Sequence, residues 1–204
     1  EGNFSSVGYC KLDGPLKIIE RYNEPVFSPE ESYELHGIED PRIVKIEDTY
    51  YMTYAAFDGV NVFGAYATSK NLINWERGGV ITPKFTFDEF AQLIEPTSEI
   101  ISKDHFLFYK LFMHYRLKEV MEGEVYVWDK NLVFFPKKIK GKFALLHRFQ
   151  PSIQLLYFKD SSELTPEFWE KYIKNLQRHI IMSPKYKHQN SHIGTGCPPI
   201  ETED

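Results

Sequence analysis

Cysteine is almost missing from this chain: two residues, Cys10 and Cys197, in 204. Neither sits in a CxxC pair or at a Cys/His spacing that suits zinc, so no metal and no redox cofactor is expected. With so little cysteine, a reducing cytoplasm is the expected compartment. No apolar run approaches a membrane span, and no signal-peptide pattern is visible, so no membrane partner is expected. The net charge is only −5, from 24 Lys+Arg and 29 Asp+Glu. Without a basic stripe, no nucleic-acid partner is expected either. One local absence says more. Between positions 171 and 200 there is no Asp or Glu, yet the stretch carries Lys171, Lys174, Arg178, Lys185, Lys187 and three histidines. Some of these cations solvate a helix face. The imbalance nevertheless favours an anion over a site built to activate water.

Aromatic residues are abundant: 16 Phe, 13 Tyr and 3 Trp make up 16% of the chain. A β-rich core accounts for most such rings, while sugar-binding clefts use them as stacking platforms. Tyr51, Tyr54, Phe57 and Phe63, with Asp58, are the candidates for that second use. Two patterns recur along the chain. One is a proline leading into an alternating strand and a polar turn, at Pro41-Arg-Ile-Val-Lys-Ile-Glu-Asp, Pro136-Lys-Lys-Ile-Lys-Gly and Pro199-Ile-Glu-Thr-Glu-Asp. The other is a closing motif, Glu24-Pro-Val-Phe-Ser-Pro, Gly79-Val-Ile-Thr-Pro and His179-Ile-Ile-Met-Ser-Pro. The period predicts an all-β fold of four-stranded units, either a β-propeller or a set of sandwich-type hairpin pairs.

An insertion over 88–124 interrupts the repeat, and its 113–121 part is expected to be helical and to lie over a cleft. Thr165-Pro166-Glu167 followed by Phe168, Trp169, Tyr172 and Ile173 predicts a capped helix with proline at its first position. The chain starts at Glu1 without methionine and ends at Glu201-Thr-Glu-Asp204 as a strand entering a turn. A single partial domain over 1–204, cut at both ends, is the expectation.

The segment 37–58 carries the sharpest chemical signal. Glu39 and Asp40 precede Pro41, then a strand over 42–46, a turn at Glu47-Asp48 and a strand over 49–57. Pro41 predicts an extended Asp40, held stiffly at the mouth of a strand. In extended chain Glu39 and Asp40 face opposite sides, so they cannot form one acid–base pair. Asp40 is the favoured functional member. His188 and His192 have an i, i+4 spacing, but the polar residues between them and Gly194 after them argue against a metal-binding helix.

Three segments then resemble glycoside hydrolase family 130: Gly37-Ile-Glu-Asp-Pro-Arg-Ile, Asp129-Lys-Asn-Leu-Val-Phe-Phe-Pro-Lys-Lys-Ile-Lys-Gly-Lys-Phe-Ala-Leu-Leu-His-Arg148, and Ile193-Gly-Thr-Gly-Cys-Pro-Pro-Ile-Glu-Thr. The family comprises β-mannoside phosphorylases and some β-mannosidases on a five-bladed β-propeller. The resemblance implies an all-β propeller fragment of about three blades with short helical insertions. It implies Asp40 as the general acid of an inverting phosphorolysis that yields α-mannose 1-phosphate. Lys130, Asn131 and Arg148 match phosphate contacts, with Lys130 standing where an arginine is common. His192 stands where some phosphorylases carry lysine. Arg42 and Asp58 are implied as substrate contacts. Inorganic phosphate is then a co-substrate, a β-mannoside oligosaccharide the partner, and a homo-oligomer an open expectation. An inverting β-mannosidase and a non-catalytic sugar-binding propeller are the alternatives. A hydrolase would need a second carboxylate to activate water, whereas phosphate is already an anionic nucleophile.

Overall fold

The structure is a computed structural model that describes residues 4–94, 124–189 and 192–203. Strands β1 (Cys10–Asp13) and β2 (Lys17–Arg21) form an exposed antiparallel hairpin. Strands β3 (Gly37–Ile46), β4 (Thr49–Phe57), β5 (Val62–Ser69) and β6 (Trp75–Val80) follow as an antiparallel sheet in that spatial order. Helix α1 (Phe87–Ile94) comes next. A second antiparallel sheet is built from β7 (Asp129–Phe134), β8 (Phe143–Phe149) and β9 (Ile153–Phe158). Helix α2 (Pro166–Lys174) then leads to β10 (Ile180–Met182), which pairs on the outer side of β9. The described residues are therefore mostly β, with few helices, as the repeat predicts.

The closing motifs mark the same place in both sheets. Gly79-Val80 ends β6 and Ile180-Ile-Met182 is β10, each the fourth strand of its sheet. The proline pattern fares differently. Pro41 lies inside β3 and not ahead of it. Pro136 follows β7 and sits in the connection to β8, because a residue without N–H cannot carry on a ladder whose last bond is Phe135 N–H to the Ala144 carbonyl. Residues 199–203 have no regular structure and join neither sheet, although Glu201 pairs with Lys137. The expected helix over 113–121 lies outside the described residues. Thr165 caps α2 as predicted, its hydroxyl accepting from the Phe168 amide, with Pro166 in the first turn and Trp169, Tyr172 and Ile173 buried.

The main core joins both sheets and both helices. Val44 and Ile46 of β3, Phe90 and Ile94 of α1, Leu132 and Phe134 of β7, Phe149 of β8 and Trp169 of α2 all belong to it. Most of the rings proposed as sugar platforms are spoken for by packing. Tyr51 packs against Phe134 and Phe143, and Tyr54 and Phe63 are buried, whereas Phe57 is half-buried beside His36. In an alternating strand with both faces covered, large rings fill the space between layers.

Two contacts set β7 against the first sheet. The Thr53 hydroxyl of β4 donates to the Leu132 carbonyl at 2.6 Å, a buried bond from sheet to sheet. Gly64 of β5 has no side chain because a Cβ there would lie 2.5 Å from Leu132 Cδ1. This close approach brings the start of β7 beside the start of β3, where the candidate site lies.

Candidate active site

Strand β3 does not run smoothly through its acidic pair. Its register against β4 shifts between Glu39 and Arg42, so the strand bulges there. Asp40 has φ of 52°, in the left-handed region. The extended conformation expected from Pro41 is therefore overridden. Aspartate tolerates this region better than most residues, and the bulge needs one residue to reverse its twist. Arg42 closes the bulge by donating from Nη1 to the Asp40 carbonyl at 2.7 Å. The Asp40 carboxylate stays 46% exposed, 3.9 Å from Arg42 Nη1. Glu39 turns elsewhere, to Lys130 Nζ at 3.8 Å. The two adjacent acids thus have different cationic partners, and they do not form one acid–base pair.

A matching irregularity occurs in β7. The register with β8 slips between Lys130 and Val133, and Asn131 has φ of 58°. Lys130 lies directly opposite Arg148 in the ladder. The loop 192–197 then crosses over these residues. The Arg148 guanidinium donates to the Ile193 carbonyl at 3.4 Å, and Thr195 donates its hydroxyl proton to the Asn131 carbonyl. Arg42 Nε donates to the Gly196 carbonyl at 2.9 Å. The loop passes close at Gly194, where a Cβ would lie 2.9 Å from Arg148 Nη1 and 3.4 Å from Asn131 Cγ. The Gly-Thr-Gly stretch is therefore backbone that passes close to a cationic cluster. Burial and the neighbouring Arg148 charge both hold His192 below the ordinary histidine range, so near neutrality it offers a hydrogen bond and not a charge.

The structure thus links Asp40, Arg42, Lys130, Asn131, Arg148 and His192 through one loop and one ion pair. Asp58 is used differently. Its Oδ1 accepts from the amides of Val60 and Asn61 at 2.8 and 2.6 Å, closing the loop between β4 and β5. Among the described residues no group of three or more His, Cys, Asp or Glu is arranged to hold a metal, and no helix is long and apolar enough to cross a membrane.

Behind the cationic pair lies a network that the sequence reading did not anticipate. Asp129, 1% exposed, accepts from His147 Nδ1 at 2.7 Å and from the Arg148 amide at 3.0 Å. The Tyr172 hydroxyl of α2 meets His147 Nε2 at 2.8 Å and the Leu155 carbonyl at 3.2 Å. Burial, and secondarily the Asp129 charge, pushes the Tyr172 hydroxyl far above the usual phenol range. The only sequence hint was a charged residue and a histidine at the ends of two apolar strands. Glu39 as the partner of Lys130 was likewise missed, because it pairs across sheets.

Chemically, an accessible carboxylate beside a cluster of lysine, arginine, amide and imidazole suits proton donation next to an anion. Comparisons with known proteins bear on the family. The model of glycoside hydrolase family 130, described as beta-1,4-mannooligosaccharide phosphorylase, matches residues 5–123. A 1,2-beta-oligomannan phosphorylase of Thermoanaerobacter sp. (strain X514) is 32% identical over 98% of this chain and 50% of its own length. A beta-1,2-mannobiose phosphorylase of Listeria innocua serovar 6a is 25% identical over 89% of this chain and 38% of its own. The solved structure of the beta-1,2-mannobiose phosphorylase from Listeria innocua, in complex with beta-1,2-mannobiose, superposes with a TM-score of 0.56. That match has 22% identity and covers 92% of this chain and 39% of that one. The chain therefore spans about half or less of the length of these relatives. On the family match and the first relative together, the chain belongs to glycoside hydrolase family 130.

Proposed function

We propose that the protein carrying this chain cleaves β-mannosidic bonds by inverting phosphorolysis, releasing α-mannose 1-phosphate, with Asp40 as general acid. The observation that carries this reading is the bridge from the Asp40 bulge to the cationic strands: Glu39 touches Lys130 at 3.8 Å while Arg42 and Arg148 both hold the loop 192–197. An exposed acid and a cationic pair then stand on neighbouring strands of the two sheets, joined by one loop. The relatives are named as phosphorylases of β-mannosides, which supports the same chemistry here.

In this reading protonated Asp40 delivers its proton to the glycosidic oxygen, directly or through a mannose hydroxyl, as the bond to the anomeric carbon breaks. A phosphate oxygen, held by Lys130, Asn131, Arg148 and His192, attacks that carbon from the opposite face and inverts it. No second carboxylate is needed, because the nucleophile is already an anion. Arg42 orients Asp40 through its carbonyl and contacts the sugar with its remaining donors. Asp58 lines the cleft from the far end of β4. We take the two four-stranded sheets as two blades of a five-bladed propeller, with the N-terminal hairpin and the bridge between Val7 and Phe27 belonging to a third.

The test is an end-point assay on the complete protein with β-1,2- and β-1,4-mannobiose, each with inorganic phosphate. Phosphate-dependent mannose 1-phosphate is expected, and Asp40→Asn should lower its rate by about 10²- to 10⁴-fold without loss of fold. Free mannose independent of phosphate would move the reading to a hydrolase. Sugar binding with no product from either protein would leave a non-catalytic binder.

A further inference from the structure

We propose that Asp129, His147 and Tyr172 form a positioning device whose task is to fix Lys130 and Arg148 for an anion, an inference that rests on the phosphorolytic reading above. Neither Asp129 nor His147 is exposed enough to touch a ligand, so any part they play is indirect.

The geometry places them directly behind the cationic pair. Side chains alternate along a strand, so His147 and Arg148 project to opposite faces of β8, and Asp129 and Lys130 to opposite faces of β7. His147 points to the helix side, where the Trp169 and Tyr172 rings of α2 and the Phe149 ring enclose it. Arg148 points to the loop side and reaches Ile193. Asp129 ties the two faces together. One of its oxygens holds the His147 ring at 2.7 Å, and the other holds the Arg148 main-chain N–H at 3.0 Å. Immediately beyond, the ladder breaks at the Asn131 bulge, where ordinary strand pairing no longer fixes the backbone. The carboxylate adds a side-chain hydrogen bond at the last pair in register before that bulge, Lys130 opposite Arg148. Tyr172 completes the chain by anchoring His147 Nε2 to the helix at 2.8 Å.

A buried charged network is a costly way to stabilise a core, because well-packed apolar residues serve as well or better. It does fix orientation, which a guanidinium that must meet an oxyanion requires. Displacements near 1 Å at such a group are worth about 10²-fold in rate.

Titration of inorganic phosphate into the complete protein, followed by calorimetry, tests this directly. Tyr172→Phe keeps every ring contact and removes only the hydroxyl. Asp129→Asn keeps the shape and changes the donor–acceptor pattern. Both variants should weaken phosphate binding, Asp129→Asn by about tenfold, the scale on which groups behind a ligand-holding side chain act. The KM for phosphate should rise in parallel, while the KM for the β-mannoside stays within about twofold of the parent, since sugar contacts lie elsewhere. If the parent binds no phosphate, the functional reading fails and this inference with it. If the parent binds and Tyr172→Phe, folded and cooperative on melting, binds equally well, the positioning role alone is wrong. Loss of phosphate and mannoside affinity together, in step with a lower Tm, would show that the network is only core.

Discussion

The two sheets each bury one carboxylate, and they use it in opposite ways. In the first, Glu34 lies in a short 3-10 turn ahead of β3 and is 0% exposed. It accepts from the Tyr54 hydroxyl at 2.7 Å, from Arg77 Nε, and from the amides of Glu30 and Glu31. Arg77 is held further by Glu30, by the Ser28 carbonyl and by the face of Phe27 at 4.3 Å. Acid and arginine answer each other, and their charges close on themselves. In the second sheet Asp129 takes a histidine and a main-chain amide, while the arginine next to that histidine turns its guanidinium to the loop 192–197. A carboxylate that grips a guanidinium builds a fold. A carboxylate that grips the backbone behind a guanidinium leaves that group's charge to be met elsewhere, here by the Ile193 carbonyl.

The difference can be broken most severely at Glu34. Glu34→Ala leaves Arg77 largely buried with its main partner gone, which costs about 3–5 kcal/mol for a pair of this kind. Denaturant unfolding should show the loss. Phosphate affinity of the folded fraction should stay unchanged, since the hydrogen bonds of Glu34 go to Arg77, Tyr54 and the Glu30 and Glu31 amides. A fall in phosphate affinity without loss of stability would erase the distinction between the two carboxylates.

Acid separates the two networks by a smaller effect. Burial pushes the Glu34 carboxyl up, but Arg77, Tyr54 and the two amides outweigh it and leave it below the usual carboxylate range. In the interval between its folded and unfolded values the folded state binds fewer protons. Its contribution is whole above the unfolded value of about 4.3 and drains away as pH falls through the folded one. His179 and His192 are also held low, His179 by burial, His147 and Arg178, and His192 by burial and Arg148. The unfolded chain takes up their protons first, so stability near the second sheet begins to fall below the ordinary histidine value of 6.5. Unfolding midpoints against pH should therefore decline in two stages, and His179→Asn with His192→Asn should flatten the first stage while leaving the second. A single stage in the carboxylate range would show that these histidines titrate as they do in the unfolded chain.

Local signals were legible in the sequence and non-local ones were not. The Glu47-Asp48 turn between β3 and β4, the Thr165 cap of α2 and the closing motifs at 79 and 179 all follow from neighbours in sequence, and each falls where expected. The start of α1 was overlooked although Thr86 and Glu89 make a reciprocal capping box, each accepting from the other's amide. The candidate acid and cations were visible as motifs, and the structure ties Arg42, Asn131 and Arg148 to one loop, Lys130 to Glu39 and Asp40 to Arg42. What could not be read was the pairing that supports them: Asp129 with His147 needs the ladder register, and Glu39 with Lys130 needs the packing of one sheet against another. Asp40 shows the limit of a local rule, since the preference imposed by Pro41 yields to a bulge that Arg42 closes.

The mildest perturbation asks whether α2 matters to the second network as a whole helix or only through Tyr172. Thr165 accepts from the Phe168 amide at 3.3 Å, so Thr165→Ala removes one cap and costs about 1 kcal/mol of stability. Fraying at a helix start is confined to the first turn, and Tyr172 stands well inside, locked by His147 and by stacking on His179 at 4.0 Å. Thermal melting should register the lost cap, and the phosphate titration should not move. If Thr165→Ala weakens phosphate binding as much as Tyr172→Phe does, the helix acts as a rigid body on β8. Orientation of Arg148 would then come from the packing of α2 and not from the hydroxyl that touches His147.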